Sequence, residues 1–286
     1  MVLLLTGACG GATPATSATP VVGDAGSPNE PDARADGGAP GPEASADAGQ
    51  LRPDVAPGTN FDLSSWELQE PIGAAGAVTT VGPAALKAGF QDAYFFTDRV
   101  DGAMTFWDPE NGVITPNSSY PRSELRELNA NGSLANWEVA GAIKHTLSAT
   151  VRVTQVPDHV CVGQIHIGEA IDATLPRSTK PLLELYYFKS GDIKLGIEKD
   201  ATAGGQTSYP ITNVPLGTKF EYVLQLAGDG TITLVLDGNA RTFAMPPSFA
   251  GYGEYFKAGN YDQTVGTDPT IGATVKFYAL DVSHKP

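Results

Sequence analysis

The sequence predicts an all-β fold of the sandwich or jelly-roll kind, and three observations predict it. From about residue 58 onward, hydrophobic residues recur with a period of two. Helix-length amphipathic patterns are scarce. Gly and Pro, 33 and 22 of the 286 residues, cut the chain into short segments, as sandwiches and jelly rolls require.

Each element follows in order. Residues 84–89 read as a single helical turn. Strands are predicted over 143–153, 160–167, 182–188 and 193–197. Residues 221–226, Glu-Tyr-Val-Leu-Gln-Leu, and 231–236, Thr-Ile-Thr-Leu-Val-Leu, flank Gly228-Asp229-Gly230 and form a hairpin. A last strand covers 272–281. No repeat of fixed period is visible, so 58–286 is one domain.

The first 57 residues read differently. Residues 1–9, Met-Val-Leu-Leu-Leu-Thr-Gly-Ala-Cys, look like the end of a bacterial lipoprotein signal, with Cys9 as the lipidation point. The apolar run is too short to span a bilayer. The expected location is therefore secreted or anchored to the cell envelope through Cys9. Residues 10–57 are rich in Gly, Ala, Pro, Thr, Ser and Asp, and no aromatic residue appears until Phe61. Such a segment cannot bury enough apolar surface to offset chain entropy, and it is expected to be a disordered linker. Its seven acidic and two basic side chains place about −5 of the formal charge of −14 there, leaving about −9 on the domain.

That acidity argues against nucleic-acid binding, which needs a basic surface. Of the two cysteines, Cys9 lies in the signal, and Cys161 sits in Val160-Cys161-Val162 as a small buried hydrophobe. No dense His, Cys, Asp or Glu cluster has ligand spacing, so neither metal nor cofactor is expected. The chain is expected to act as a monomer.

Three segments carry chemistry. In Arg122-Ser123-Glu124-Leu125-Arg126, strand parity puts Arg122, Glu124 and Arg126 on one face. Two guanidiniums beside a carboxylate can bind a substrate carboxylate; the plainer reading is a solvated strand face. In Gln164-Ile165-His166-Ile167, the isoleucines can enter the core while Gln164 and His166 point out, offering an amide and a proton acceptor. A strand histidine can equally be a merely satisfied one. In Tyr255-Phe256-Lys257-Ala258-Gly259-Asn260-Tyr261-Asp262-Gln263, parity joins Tyr255, Lys257, Tyr261 and Gln263, although Gly259-Asn260 can bend the chain. A nearby Lys257 would favour the Tyr261 phenolate; the plainer reading is an aromatic edge strand.

Together, RSELR at 122–126, QIH at 164–166 and YFKAGNYDQ at 255–263 resemble the three ordered blocks of polysaccharide lyase family seven, the alginate lyases. Phe61 to Gln69 looks like that family's first strand, and the resemblance covers about 60–286. It implies a concanavalin-like jelly roll with a concave sheet that binds an acidic polysaccharide, alginate, and cleaves it by β-elimination. It also implies roles. Arg122, Gln164 and His166 would neutralise the uronate carboxylate, and Tyr261 would transfer protons at C5 and at the leaving oxygen. Arg126, Lys257, Tyr255 and Gln263 would bind neighbouring uronates, or Lys257 and Arg126 would tune Tyr261. Glu124 would orient the arginines. Ile165 is the family variant linked to guluronate-containing blocks. In guluronate the C5 hydrogen and the leaving oxygen lie on opposite sides, so His166 would be the base and Tyr261 the acid.

Three rivals stay open: a carbohydrate-binding module on the same fold, a lyase for another polyuronate such as glucuronan, and a hydrolase. A hydrolase needs two carboxylates flanking the bond, and Glu169 with Asp172 is the nearest pair, read as surface residues.

Overall fold

A computed structural model describes residues 50–116 and 118–286 of the chain. The signal, Cys9 and most of the linker lie outside the described residues. Sixteen strands run in chain order: β1 Trp66–Ala74, β2 Ala77–Val81, β3 Phe95–Thr97, β4 Met104–Pro109, β5 Ser123–Glu127, β6 Trp137–Glu138, β7 Lys144–Gln155, β8 His159–Ala170, β9 Pro181–Phe188, β10 Asp192–Glu198, β11 Gln206–Asn213, β12 Lys219–Ala227, β13 Thr231–Leu236, β14 Asn239–Ala244, β15 Tyr252–Asp262 and β16 Gly272–Lys285. The only α-helices among the described residues are α1, Pro57–Asn60, and α2, Pro83–Lys87, the latter at the expected turn.

The strands form two antiparallel sheets packed as a jelly-roll sandwich. The nine-stranded sheet is ordered β11-β10-β9-β8-β15-β5-β1-β2, with β6 also on β15; the seven-stranded sheet is ordered β14-β13-β12-β7-β16-β4-β3. Period-two patterning creates the sandwich, because alternate residues of each strand point into the space between sheets. Along β7 the burial alternates residue by residue, with Leu147, Ala149, Val151 and Val153 inward. From the facing sheet come Leu125, Ile165, Leu183, Leu185 and Phe256, all fully buried. Phe106 joins Phe95 and Phe277 in tilted and edge-on contacts at 5.1 and 5.3 Å.

Every strand expected from alternation is present, with its ends within a few residues of those expected. The expected hairpin is β12-β13, with Gly230 at φ 82 where only glycine is unstrained. Three expectations need correction. The first strand begins at Trp66, not Phe61, because Phe61 and Leu63 fill the core from the turn after α1. The boundary expected at residue 58 falls inside packed chain: Leu51 lies against the core, and Asn60 exchanges hydrogen bonds of 3.1 and 2.8 Å with the Arg52 backbone. The third motif lies on β15, which is central between β8 and β5, so the edge-strand alternative fails.

Cys161 is fully buried but stands apart from the main core cluster. The register of β8 shifts between Cys161 and Gly163, and Val162 packs into the core. A Cβ on Gly163 would meet the Tyr222 hydroxyl, which bonds the Val162 carbonyl within the core, at 2.7 Å. Val162 and Gly163 therefore both face inward, and Cys161 turns to the opposite side, across the ladders from Tyr186 and Tyr261.

Candidate active site

The three motifs become neighbours because β8, β15 and β5 are adjacent strands. The ladders set Lys257 opposite both Arg126 and Gln164, Tyr255 opposite His166, and Gly259 opposite Glu124. Side chains of matching parity then emerge on the face turned away from the core.

Glu124 is the centre of the arrangement. It is fully buried, and its Oε2 accepts Arg122 Nη1 at 3.1 Å and the Lys257 ammonium. Its Oε1 accepts the Gln164 amide, leaving that amide one further N–H. A buried carboxylate is tolerable only with such partners. Arg122 lies over the Tyr261 ring, its Cζ 4.0 Å from the ring centroid. Its Nη2 donates to the Ser118 hydroxyl at 2.9 Å, which in turn lies 3.0 Å from the Tyr261 hydroxyl. Arg122, Gln164 and Tyr261 are thus one bonded unit.

His166 completes it. Its Nδ1 faces the Ile167 carbonyl at 2.8 Å, and a carbonyl only accepts, so the proton sits on Nδ1 and Nε2 keeps a free lone pair. Burial, reinforced by the Lys257 charge, depresses the His166 pKa to about 3, so the ring is neutral. Burial also raises the Tyr261 phenol, against the opposing effects of Arg122 and Ser118, so Tyr261 is a protonated phenol. Lys257 is lowered to about 8 by burial and by Arg122, with Glu124 pulling the other way.

Arg122, His166, Arg126, Tyr255 and Lys257 line a cavity of about 240 Å3, together with Gln69 and Thr115. It adjoins a groove of about 710 Å3, and Arg126, Gly168, Arg177 and Ser178 border both. Arg122, Arg126, Arg177 and Lys257 line the cavity and no carboxylate of the described residues does, so its surface is positive within a negative protein, even with Glu124 bonded to two of these cations and Glu67 and Glu184 nearby.

Several expected roles change. Glu124 orients Arg122 but not Arg126, which stacks over Tyr255 at 4.2 Å and whose buried Nε has no partner among the described residues. Lys257 is bound to Glu124, and its Nζ stands 6.0 Å from the centroid of the Tyr261 ring. Gln263 lies beyond the end of β15, donating to the Tyr261 carbonyl at 3.1 Å, apart from the cavity. Glu169 and Asp172 are both exposed, and Asp172 accepts from Thr174 in its own turn, which does not serve hydrolysis. Sequence reasoning missed Ser118, Gln69, Thr115 and Arg177. Ser118 stands four residues before Arg122, a proximity that motif parity does not weigh, and Arg177 lies in a loop without pattern.

The chain is similar to known proteins along most of its length. The family model described as alginate lyase matches residues 61–284. An alginate lyase of Klebsiella pneumoniae is 29% identical, the match spanning 80% of this chain and 91% of that protein. The crystal structure of an alginate lyase from Pseudomonas aeruginosa superposes with a TM-score of 0.71 at 33% identity, over 78% of this chain and 100% of that one. Alginate lyase A1-II′, of polysaccharide lyase family seven, superposes at 0.70 and 33% identity in complex with the substrate GGMG, over 81% of this chain and 97% of that one. It has also been solved with the product GGG. A match across nearly the whole described domain, on a cleft with this donor set, makes the chain a polysaccharide lyase, a member of the alginate lyase family, polysaccharide lyase family seven.

Proposed function

We propose that the enzyme cleaves guluronate-containing blocks of alginate from within the chain, with His166 as base and Tyr261 as acid. What supports this reading is a neutral imidazole lining the cavity with Nε2 free, and a phenol that burial keeps protonated beneath Arg122, which lines the same cavity. A base must begin without its proton and an acid with it. Elimination across opposite faces, as guluronate demands, needs two such groups. Same-side elimination in mannuronate would need Tyr261 to begin as phenolate, which burial opposes.

A bound uronate carboxylate meets Arg122, the free N–H of Gln164 and the positive floor. Charge accumulates there as the C5 proton leaves, and preorganised donors stabilise it without reorganising. The carboxylate also offsets the Lys257 and arginine charges around His166, raising its basicity on binding. The C5 proton passes to Nε2, the C5–H electron pair forms the C4–C5 double bond, and Tyr261 protonates the departing O4.

Internal cleavage is favoured by the open continuation of the cavity into the larger groove, which Arg126 and Arg177 line together with the exposed Glu169. The GGMG and GGG complexes of the relative, with G read as guluronate and M as mannuronate, favour the same block choice. We further propose that the protein is exported, on its opening apolar run and Cys9.

The test is incubation of the full chain with polyguluronate, polymannuronate and glucuronan, following ultraviolet absorbance and product size. Fastest absorbance gain on polyguluronate, with a spread of intermediate oligomers, is expected. Fastest gain on polymannuronate or glucuronan, or release of single unsaturated units from the start, would overturn the respective assignment.

A further inference from the structure

Ser118 touches two residues of the candidate active site, Arg122 and Tyr261, but belongs to none of the three motifs. Its hydroxyl is crowded. Arg122 Nη2 donates to it at 2.9 Å and the Tyr120 backbone N–H donates at 3.1 Å. A hydroxyl oxygen has two lone pairs, and these donors fill both. The single Ser118 proton is left with two acceptors: the Tyr120 carbonyl at 2.8 Å and the Tyr261 oxygen at 3.0 Å. With the lone pairs of Ser118 occupied, the Tyr261 proton has no acceptor there.

We propose that Ser118 is a positioning residue for Tyr261, its hydroxyl turning from the Tyr120 carbonyl to the Tyr261 oxygen as that oxygen gives its proton to the leaving O4. The step rests on the elimination assigned above. The Tyr261 O–H bond breaks as the O4–H bond forms, the C4–O4 pair leaves with O4, and the C5 proton goes to His166. The phenolate so formed acquires one charge-assisted hydrogen bond from a group already in place. Arg122 serves two roles: it holds the Ser118 oxygen and spreads positive charge over the Tyr261 ring.

Other charges face Tyr261 as well. Lys257 lies 6.0 Å from its ring centroid, and the Glu184 and Glu124 carboxylates oppose its ionisation. Tyr120 meets it edge-on at 6.2 Å. None of these is shown as a hydrogen-bond partner of the phenol oxygen, so the Ser118 contribution is separable by mutation.

The experiment compares Ser118→Ala, Ser118→Thr and the unaltered full chain on polyguluronate across a pH series. Ser118→Ala should lower kcat ~10- to 100-fold, the worth of a hydrogen bond to a charged group, and leave KM within about two-fold. The limb of the pH–kcat profile set by Tyr261 should move upward by about one pH unit, because losing a phenolate donor raises the phenol pKa. Ser118→Thr, which keeps the hydroxyl, should restore both. An unmoved limb in Ser118→Ala, or equal losses in Ala and Thr, would overturn the proposal. Should Ser118→Ala melt early, Ser118→Cys keeps the volume with a weak donor and must show the same shift. An unaltered chain inactive on every polyuronate would sink the elimination reading, and the proposal with it.

Discussion

Gly259 lies directly across the ladder from Glu124, and a Cβ on Gly259 would come within 2.8 Å of the Glu124 Cα. Its φ of 150 is open to few residues with a side chain. The next residue, Asn260, is fully buried and donates to the Phe106 and Ala273 carbonyls of the opposite sheet at 3.1 and 2.7 Å. Gly259 thus lets β15 press onto the centre of the active site while Asn260 anchors it to the core. Gly259→Ala should cost roughly 1–3 kcal/mol, as overpacking does, and lower kcat more than the stability loss explains. Urea unfolding and initial rates on one preparation check it. A variant that is both stable and fully active would refute it.

Glu124 neutralises two buried cations. Glu124→Gln keeps the shape and removes the counter-charge of Arg122 and Lys257. Breaking a buried pair from one side costs about 3–5 kcal/mol. The urea midpoint should fall accordingly, and kcat should fall with it as Arg122 loses its orientation. An unchanged midpoint would show that the carboxylate is not ionised in the folded enzyme.

Tyr261→Phe removes the proton donor and leaves the ring under Arg122. Turnover should drop ~10²- to 10⁴-fold, the usual share of general acid–base catalysis, while oligouronate binding persists. Calorimetric titration with a guluronate oligomer separates the two. Lost binding with the same turnover per bound complex would count against the acid role.

Burial holds the pKa of folded His166 down at about 3 and that of folded His145 at about 4, both below the ordinary imidazole value of 6.5. Between those values the unfolded chain binds more protons than the folded one, so stability falls as pH drops through about 6.5 toward 3. Replacing His166 with Gln should flatten that slope. Urea midpoints from pH 3 to 7 for both proteins test it, and parallel curves would place the His166 pKa near its ordinary value.

The chain is negative at −14, yet its cleft cations meet a polyanion. Added salt should therefore first raise kcat/KM, by screening long-range repulsion, and lower it only near ~0.1 M and above, where the Debye length of about 10 Å approaches contact range. A monotonic fall from low ionic strength would contradict this.

Strand alternation, the hairpin and the three motifs could be read from the sequence because they are local: period two states which side of a strand a residue takes. Within each motif, that parity put Arg122, Glu124 and Arg126, then Gln164 and His166, then Tyr255, Lys257, Tyr261 and Gln263, on one face of its own strand. Parity says nothing about which strands are neighbours, so the sequence alone could not show that Glu124 bonds Lys257 and Gln164, or that Arg126 stacks on Tyr255 instead. Nor could it show Ser118 under Tyr261 or Arg177 at the groove rim, since both lie in loops without periodicity. The protonation states were decided last. They depend on burial and on charges brought together from β5, β8 and β15, and a desolvation cost exists only once the sheets have closed over the residues that bear it.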